Sequence, residues 1–270
     1  MGRTLGLMAG AGVLPGRVAA EAAQRGWRVV AFTFGEARGL DGPTDRVVPS
    51  RLTDVGNVLE RLQSERVAAI VFAGLLPKSS LLDHTSADPS AHELLSAAGG
   101  LSDTALGSAV LRTLAGLGIE VLDPRTFLSS LLVPSGTLTA RVPSEAEWTD
   151  VRLGLRLARQ CAAFGIGQTV VVRRGLTVAV EAIEGTSETI RRGCRLAGPG
   201  AVVVKGVAPE HDYRFDVPTV GLETLEAMVG GKASAVGLEA GKVLLLDREA
   251  VVTLADQEGI AIVSVDSDSG

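Results

Sequence analysis

Aromatic side chains are scarce in this chain of 270 residues, with six Phe, two Trp and one Tyr making up 3%. The interior therefore has to be built from Ala, Val and Leu, with 33 glycines supplying turns and close backbone contacts. That composition suits an α/β protein better than an all-β one. There are two cysteines, Cys161 and Cys194, in different segments with neither a CxxC spacing nor a His companion. They read as isolated reduced thiols, not as a zinc site or a disulfide. Positive charge is in deficit, with 26 Lys and Arg against 31 Asp and Glu and a net charge of -5. With no basic run anywhere, a general nucleic-acid binder is excluded. No apolar run approaches the roughly 20 residues of a membrane span. The opening "MGRTLGLMAGAG" lacks the apolar core and cleavage site of a signal peptide, so the expectation is a soluble, cytoplasmic chain. The length allows one large domain or two ordinary ones, and two are expected.

Strands and helices alternate through the first 120 residues. "RTLGLMAG" (3–10) reads as a strand, "LPGRVAAEAAQRG" (14–26) as a helix ending at a glycine cap, and "WRVVAFTF" (27–34) as a second strand. A helix over 53–65 with Thr53 as N-cap, a buried strand over 67–74, a helix over 102–118 and a strand over 119–123 follow. Such alternation predicts a parallel sheet with helices on both faces. Residues 131–143, "LLVPSGTLTARVP", hold two prolines and a glycine without sustained period and read as a linker. The domains expected are thus 1–130 and 144–270. After the linker, Ser144 and Glu147 have capping-box spacing ahead of a long amphipathic helix. The remainder reads as a hairpin over 168–182 turning at "RRG", a short helix near 186–193, a strand over 201–205, a helix over 221–229, two strands around 233–246, a helix over 247–259 and a strand over 260–265.

Three segments carry candidate chemistry. In "AGAGVLPG", Gly10 and Gly12 lie between a strand and a helix, where unpaired N–H groups and the helix dipole favour a phosphate. Pro15 stands where a dinucleotide fingerprint needs its third glycine, so a tight strand-to-helix turn is an equal reading and a nicotinamide cofactor a weaker one. In "VEAIEGTSETIRRG" a strand ends in Glu181 and Glu184 before Thr186 and Ser187 open a helix, which is either a polar site or an ordinary cap beside solvated Arg191 and Arg192. "AVVVKG" ends a buried strand in Lys205, either a ligand-facing ammonium at the strand's C-terminal end or a snorkelling side chain. The loop "HDYRFDVPTVG" gathers His211, Asp212, Arg214 and Asp216. Pro218 disfavours helical geometry at Val217, so Asp216 is expected in extended backbone ahead of a helix capped near Thr219. There it would serve as a metal ligand or base. A phosphate ester with a divalent ion would satisfy the mixture of charges, and so would a salt-bridged surface loop.

These segments, with "FGIGQTVVV", "VVVKGVAPEHDYRFDVPTVGLETLEAM" and "GLEAGKVLLLDREAVVTLADQEGIAIVSV", fall in order across nearly the whole chain. Together they resemble the UDP-2,3-diacylglucosamine pyrophosphatases of the LpxI type. The resemblance implies an α/β fold, with an N-terminal Rossmann-like parallel-sheet domain and a C-terminal α/β domain joined by a linker and holding ligand between them. It implies a Mg2+-dependent hydrolase of lipid A biosynthesis that releases UMP and 2,3-diacylglucosamine 1-phosphate by water attack at the β-phosphorus. It places the catalytic aspartate on Asp216; beside it the local reading sets Lys205 as catalytic cation, Asp216 and Glu184 as metal ligands, and Gly10, Gly12, Gln168, Thr186, His211 and Arg214 against substrate. The partner implied is a lipid-linked UDP-sugar and not nucleic acid, with peripheral contact with the inner membrane and self-association both compatible. Two apolar acyl chains would need an aliphatic crevice. Ser187 stands where the family usually has an aspartate and His211 where it has a glutamine, and "LLPKSS" is less polar than the family's segment there. The competing readings are a pyrophosphatase for another UDP-sugar, a noncatalytic nucleotide- or lipid-binding relative, and a nicotinamide-dependent oxidoreductase.

Overall fold

The computed structural model of the chain describes residues 2–76, 87–100 and 103–266. It divides into two compact units, Met1–Ser129 with Asp212–Asp216, and Ser130–His211 with Val217–Gly270. The five residues around the candidate aspartate thus belong to the first unit, although their chain neighbours belong to the second.

In the first unit the apolar run Thr4–Ala9 forms β1, buried along its whole length, as a strand covered on both faces must be. There follow α1 (Leu14–Gln24), β2 (Arg28–Thr33), β3 (Arg46–Pro49), α2 (Val55–Ser64), β4 (Val67–Ala73), α3 (Pro89–Ala98), α4 (Asp103–Gly116), β5 (Glu120–Val121) and α5 (Arg125–Leu128). The strands pair in the order β3-β2-β1-β4-β5 and every pairing is parallel. The chain therefore reverses direction across the sheet between β1 and β4, the topological switch of a doubly wound fold. Met8, Phe32, Leu62, Ile70 and Leu114 form the core between sheet and helices.

Three elements of this unit, β3, α3 and the four-residue α5, are not expected from the sequence. The β3 strand has no buried residue, so it carries no apolar alternation to betray it. The α3 helix, opened by Pro89, sits in a stretch too short and mixed to show a clear period. Thr53 does not cap α2; the helix starts after Asp54, whose side chain makes no capping bond. The cap comes from Asp88, whose Oδ2 accepts from Gly56 N–H at 2.7 Å while its Oδ1 accepts from Ala91 N–H at 2.6 Å. One carboxylate thus satisfies orphan donors of both α2 and α3.

In the second unit, the stretch read as a linker is held along the sheet. Val133 N–H donates to Val243 O, and Leu138 N–H to Ile262 O, each at 2.9 Å, around the two-residue β6 (Gly136–Thr137). A strand that short leaves no period in a sequence rich in turn formers. Next come α6 (Glu145–Ala163), β7 (Thr169–Arg173), β8 (Leu176–Val180), α7 (Thr186–Ala197), β9 (Val202–Lys205), β10 (Thr219–Val220), α8 (Leu222–Gly230), β11 (Ala235–Glu239), β12 (Leu244–Leu245), α9 (Arg248–Gln257) and β13 (Ala261–Val265). The expected capping box at Ser144 and Glu147 opens α6. The β7–β8 turn is gripped by buried Asp150, which accepts the N–H groups of Arg174 and Gly175 at 2.7 and 2.6 Å. The six-stranded sheet runs β6-β13-β11-β9-β7-β8, parallel from β13 to β9 and antiparallel at both sides. Both cysteines are free, and burial pushes the Cys194 thiol up to about 11. Among the described residues, no helix is long and apolar enough to cross a membrane.

Candidate active site

In the first unit, the turn after β1 is closed by protein. Gly10 N–H donates to Ala73 O at 2.8 Å, Ala11 N–H to Leu75 O at 2.8 Å and Gly12 N–H to Glu36 O at 3.1 Å. A Cβ on Gly10 would lie 2.5 Å from Leu75 O, so glycine is required by the neighbouring loop. These donors are already used, and the geometry favours the tight-turn reading over a phosphate cradle.

The loop carrying Asp216 is anchored by its aromatic residues. The guanidinium of Arg125, itself bound to Asp123 at 2.6 Å, lies 3.3 Å from the ring centroid of Tyr213, within cation–π range. Phe215 packs 5.3 Å from the ring of Phe72 and against α4, where a Cβ on Gly107 would come within 2.8 Å of the phenyl ring. Arg214 turns back on Asp212, with Nε and Nη2 at 2.9 and 2.7 Å from its two carboxylate oxygens. That hydrogen bond and the fields of Asp212 and Asp123 hold its guanidinium above the ordinary arginine range. Asp216 follows Phe215 directly and is exposed. No helix cap lies where one was expected: Thr219 is in β10, its hydroxyl donates to Val217 O at 2.8 Å, and α8 begins only at Leu222. A dipole effect confined to the first turn therefore gives no account of Asp216.

Phe215 also forms one wall of an apolar cavity of about 190 Å3. Met8, Leu59, Phe72, Leu95 and Val110 line it too, and its polar contributors are Arg51 and Thr113.

In the second unit, β9 delivers Lys205 to a polar cluster. The residue is 6% exposed, opposite Thr169 in the β7–β9 register, and its Nζ donates to Thr186 Oγ1 at 2.9 Å. Thr186 Oγ1 donates in turn to Glu181 Oε1 at 2.9 Å, and Glu181 Oε2 accepts from Gln168 N–H at 3.2 Å. Among the described residues no carboxylate pairs with Lys205. Beside it, α7 opens at Gly185 with no side-chain cap, so its first N–H groups and the ammonium bring positive potential to a spot that the Glu181 carboxylate offsets through Thr186. Glu184 is spent on protein: it accepts from Ala182 N–H at 3.2 Å and Thr189 Oγ1 at 3.2 Å and is bound by Arg192 Nη2. Its own backbone N–H, then Arg192, hold its carboxyl below the ordinary range. Ser187 Oγ donates to Glu223 Oε1 at 2.8 Å, and His211 N–H to Ala208 O at 3.2 Å.

Models of the LpxI N-terminal and C-terminal domains match residues 4–131 and 134–263. The chain is 33% identical over 285 residues to the UDP-2,3-diacylglucosamine pyrophosphatase LpxI of Caulobacter vibrioides, with 98% of each chain covered. The chain belongs to the LpxI family. Within an LpxI chain, the aromatic anchors of the aspartate loop went unremarked in the sequence, although a signal was there: the single Tyr and one of only six Phe stand two residues apart in an otherwise charged loop. Glu181 reads in the sequence only as the end of a strand, and Thr169 carries no signal there. Their hydrogen bonds to the lysine cluster depend on β7–β9 pairing, which no local pattern reveals.

Among the described residues, no group of three or more His, Cys, Asp or Glu could hold a metal. Mg2+ does not require such a group. This ion is commonly bound by one or two carboxylates, with substrate phosphates and water completing its shell, and an exposed aspartate can supply the protein's share.

Proposed function

We propose that the chain hydrolyses the pyrophosphate bond of UDP-2,3-diacylglucosamine, giving UMP and 2,3-diacylglucosamine 1-phosphate by attack of water at the β-phosphorus, in lipid A biosynthesis. The observation that carries this reading is Lys205, a sheltered ammonium beside an uncapped helix start that no carboxylate binds directly among the described residues. Such a cation calls for an anion from outside the chain, and a relative matched end to end names a pyrophosphate as that anion.

Asp216 is the group we assign to the attacking water, orienting it and taking its proton. Lys205 and the start of α7 stabilise phosphate oxygens as negative charge builds on the departing UMP. Thr186 fixes the ammonium, and Glu181 in turn fixes the hydroxyl of Thr186. Mg2+ would be held by Asp216 and substrate oxygens, and when bound it supplies charge neutralisation on the pyrophosphate. Glu184, committed to Arg192, has no part in that shell. The apolar cavity beside Phe215 supports an acylated sugar over a plain one, because an apolar volume lined by the neighbour of the aspartate has no use for UDP-sugars without lipid.

The test is UMP release from UDP-2,3-diacylglucosamine with Mg2+. Asp216→Ala is expected to lower the rate by at least about 100-fold, the lower range of acid–base contributions. Lys205→Met is expected to lose both binding and rate, and chelation of Mg2+ to stop release. Wild-type rates in Asp216→Ala would refute the role of the carboxylate, and release unaffected by chelation would refute the metal.

A further inference from the structure

We infer that Phe215 couples acyl-chain binding to the placement of Asp216, so that the lipid part of the substrate acts on turnover and not on affinity alone. The inference rests on the hydrolase reading above and adds to it a positioning residue with a specificity role. The two residues are adjacent in the chain, and the ring of the first is a wall of the cavity. On its other sides the ring is set by Phe72, at 5.3 Å between centroids, and by the bare backbone of α4 at Gly107. The backbone bond of Phe215 is long, its N–H lying 3.4 Å from Asp212 O. Ring packing on Phe72 and α4 is thus one of the ties that place residue 215, and Asp216 is the next residue along the chain.

The cavity is lined almost wholly by apolar side chains, and its volume of about 190 Å3 exceeds the roughly 150 Å3 that is enough to take a small hydrocarbon guest. The occupant we assign is the terminal part of one acyl chain of the substrate. The side of the Phe215 ring that lines the cavity is the side an occupant would pack against. An acyl chain seated there adds packing against the ring and clamps it, and with it the residue that follows. Binding energy from a remote, unreactive part of the substrate is then used to hold the carboxylate in place, which raises kcat; an acyl site with no such link would lower KM alone.

The experiment compares kcat and KM for UMP release from UDP-2,3-diacylglucosamines with long, medium and short acyl chains, using wild type, Phe215→Ala and Phe215→Leu. In the wild type, kcat is expected to fall about 10- to 100-fold from long to short chains, the cost of a misplaced catalytic group. In Phe215→Ala, kcat should be low and flat across the series, with chain length surviving only in KM, at up to about fourfold for each methylene withdrawn from the cavity. Phe215→Leu, which keeps part of the wall, should recover part of the slope in kcat. A destabilised alanine variant would not spoil the test, because the wild-type series and the leucine variant carry it. Wild-type kcat that ignores chain length, or an alanine variant with the full wild-type slope, overturns the coupling while leaving hydrolysis intact. No UMP release by the wild type at any chain length would overturn the hydrolase reading and the coupling together.

Discussion

Glu239, at the end of β11, has no exposed surface, yet it is charged. Burial pushes its carboxyl up, but Lys242, at 2.8 Å, the Val207 N–H at 2.9 Å and the field of Arg159 outweigh burial and hold it below its ordinary value of 4.5. A carboxyl depressed on folding contributes stability that is complete above the unfolded value and is lost as pH falls through the folded one. Below about pH 4.5 the second unit should therefore lose stability through this residue. Glu239→Gln leaves two buried-side cations facing an amide and should cost about 3 kcal/mol near neutrality, the lower range for breaking a buried pair. Urea titrations should show that difference shrinking as the pH is lowered through the acid range. A difference that does not change with pH would mean that shape, not charge, is what the glutamate contributes. In sequence, "GLEAGK" gave no sign of this, because a glutamate closing a strand looks like any solvated one until the loop at Val207 is known to return onto it.

At the scale of elements, α2 and α3 are started by one side chain, and both helices line the apolar cavity. Asp88→Ala removes both caps, each worth about 1 kcal/mol, so the first unit should lose about 2 kcal/mol in denaturant unfolding. An asparagine has a single acceptor oxygen and should restore about half. Full stability in the alanine variant would show that water replaces both bonds. The same pair of helices shows what a local pattern can and cannot carry. The capping box of α6, the hairpin turn and β1 were legible because residues adjacent in sequence define them. Asp88 was not, since it caps a helix that precedes it, and Thr53 was chosen in its place for being nearest. The β6 strand was hidden for a related reason, its partner β13 being the last strand of the chain. Lys205 and Thr186 were legible one at a time, as the end of a strand and the start of a helix. Their contact was not, because it depends on where α7 packs.

On the scale of the whole molecule, residues 212–216 lie far along the sequence yet count among the first unit. Pattern reading placed them in the C-terminal domain, because their neighbours on both sides are there and a short loop has no periodicity of its own. The assignment can be checked with the two tryptophans, one per unit. Trp27 lies under Arg3, 4.9 Å from its guanidinium carbon, and Trp148 packs against the core of the second unit. Single-tryptophan variants, Trp27→Phe and Trp148→Phe, therefore report the unfolding of each unit separately. Phe215→Ala removes a partly buried ring, for which about 2 kcal/mol is expected, below the range for a core phenylalanine. If the loop belongs to the first unit, that loss should appear as an earlier transition of Trp27, with the Trp148 transition unmoved. A shift confined to Trp148 would return the loop to the unit suggested by its place in the sequence. It would also remove the ring from the cavity on which the coupling of acyl chain to carboxylate depends.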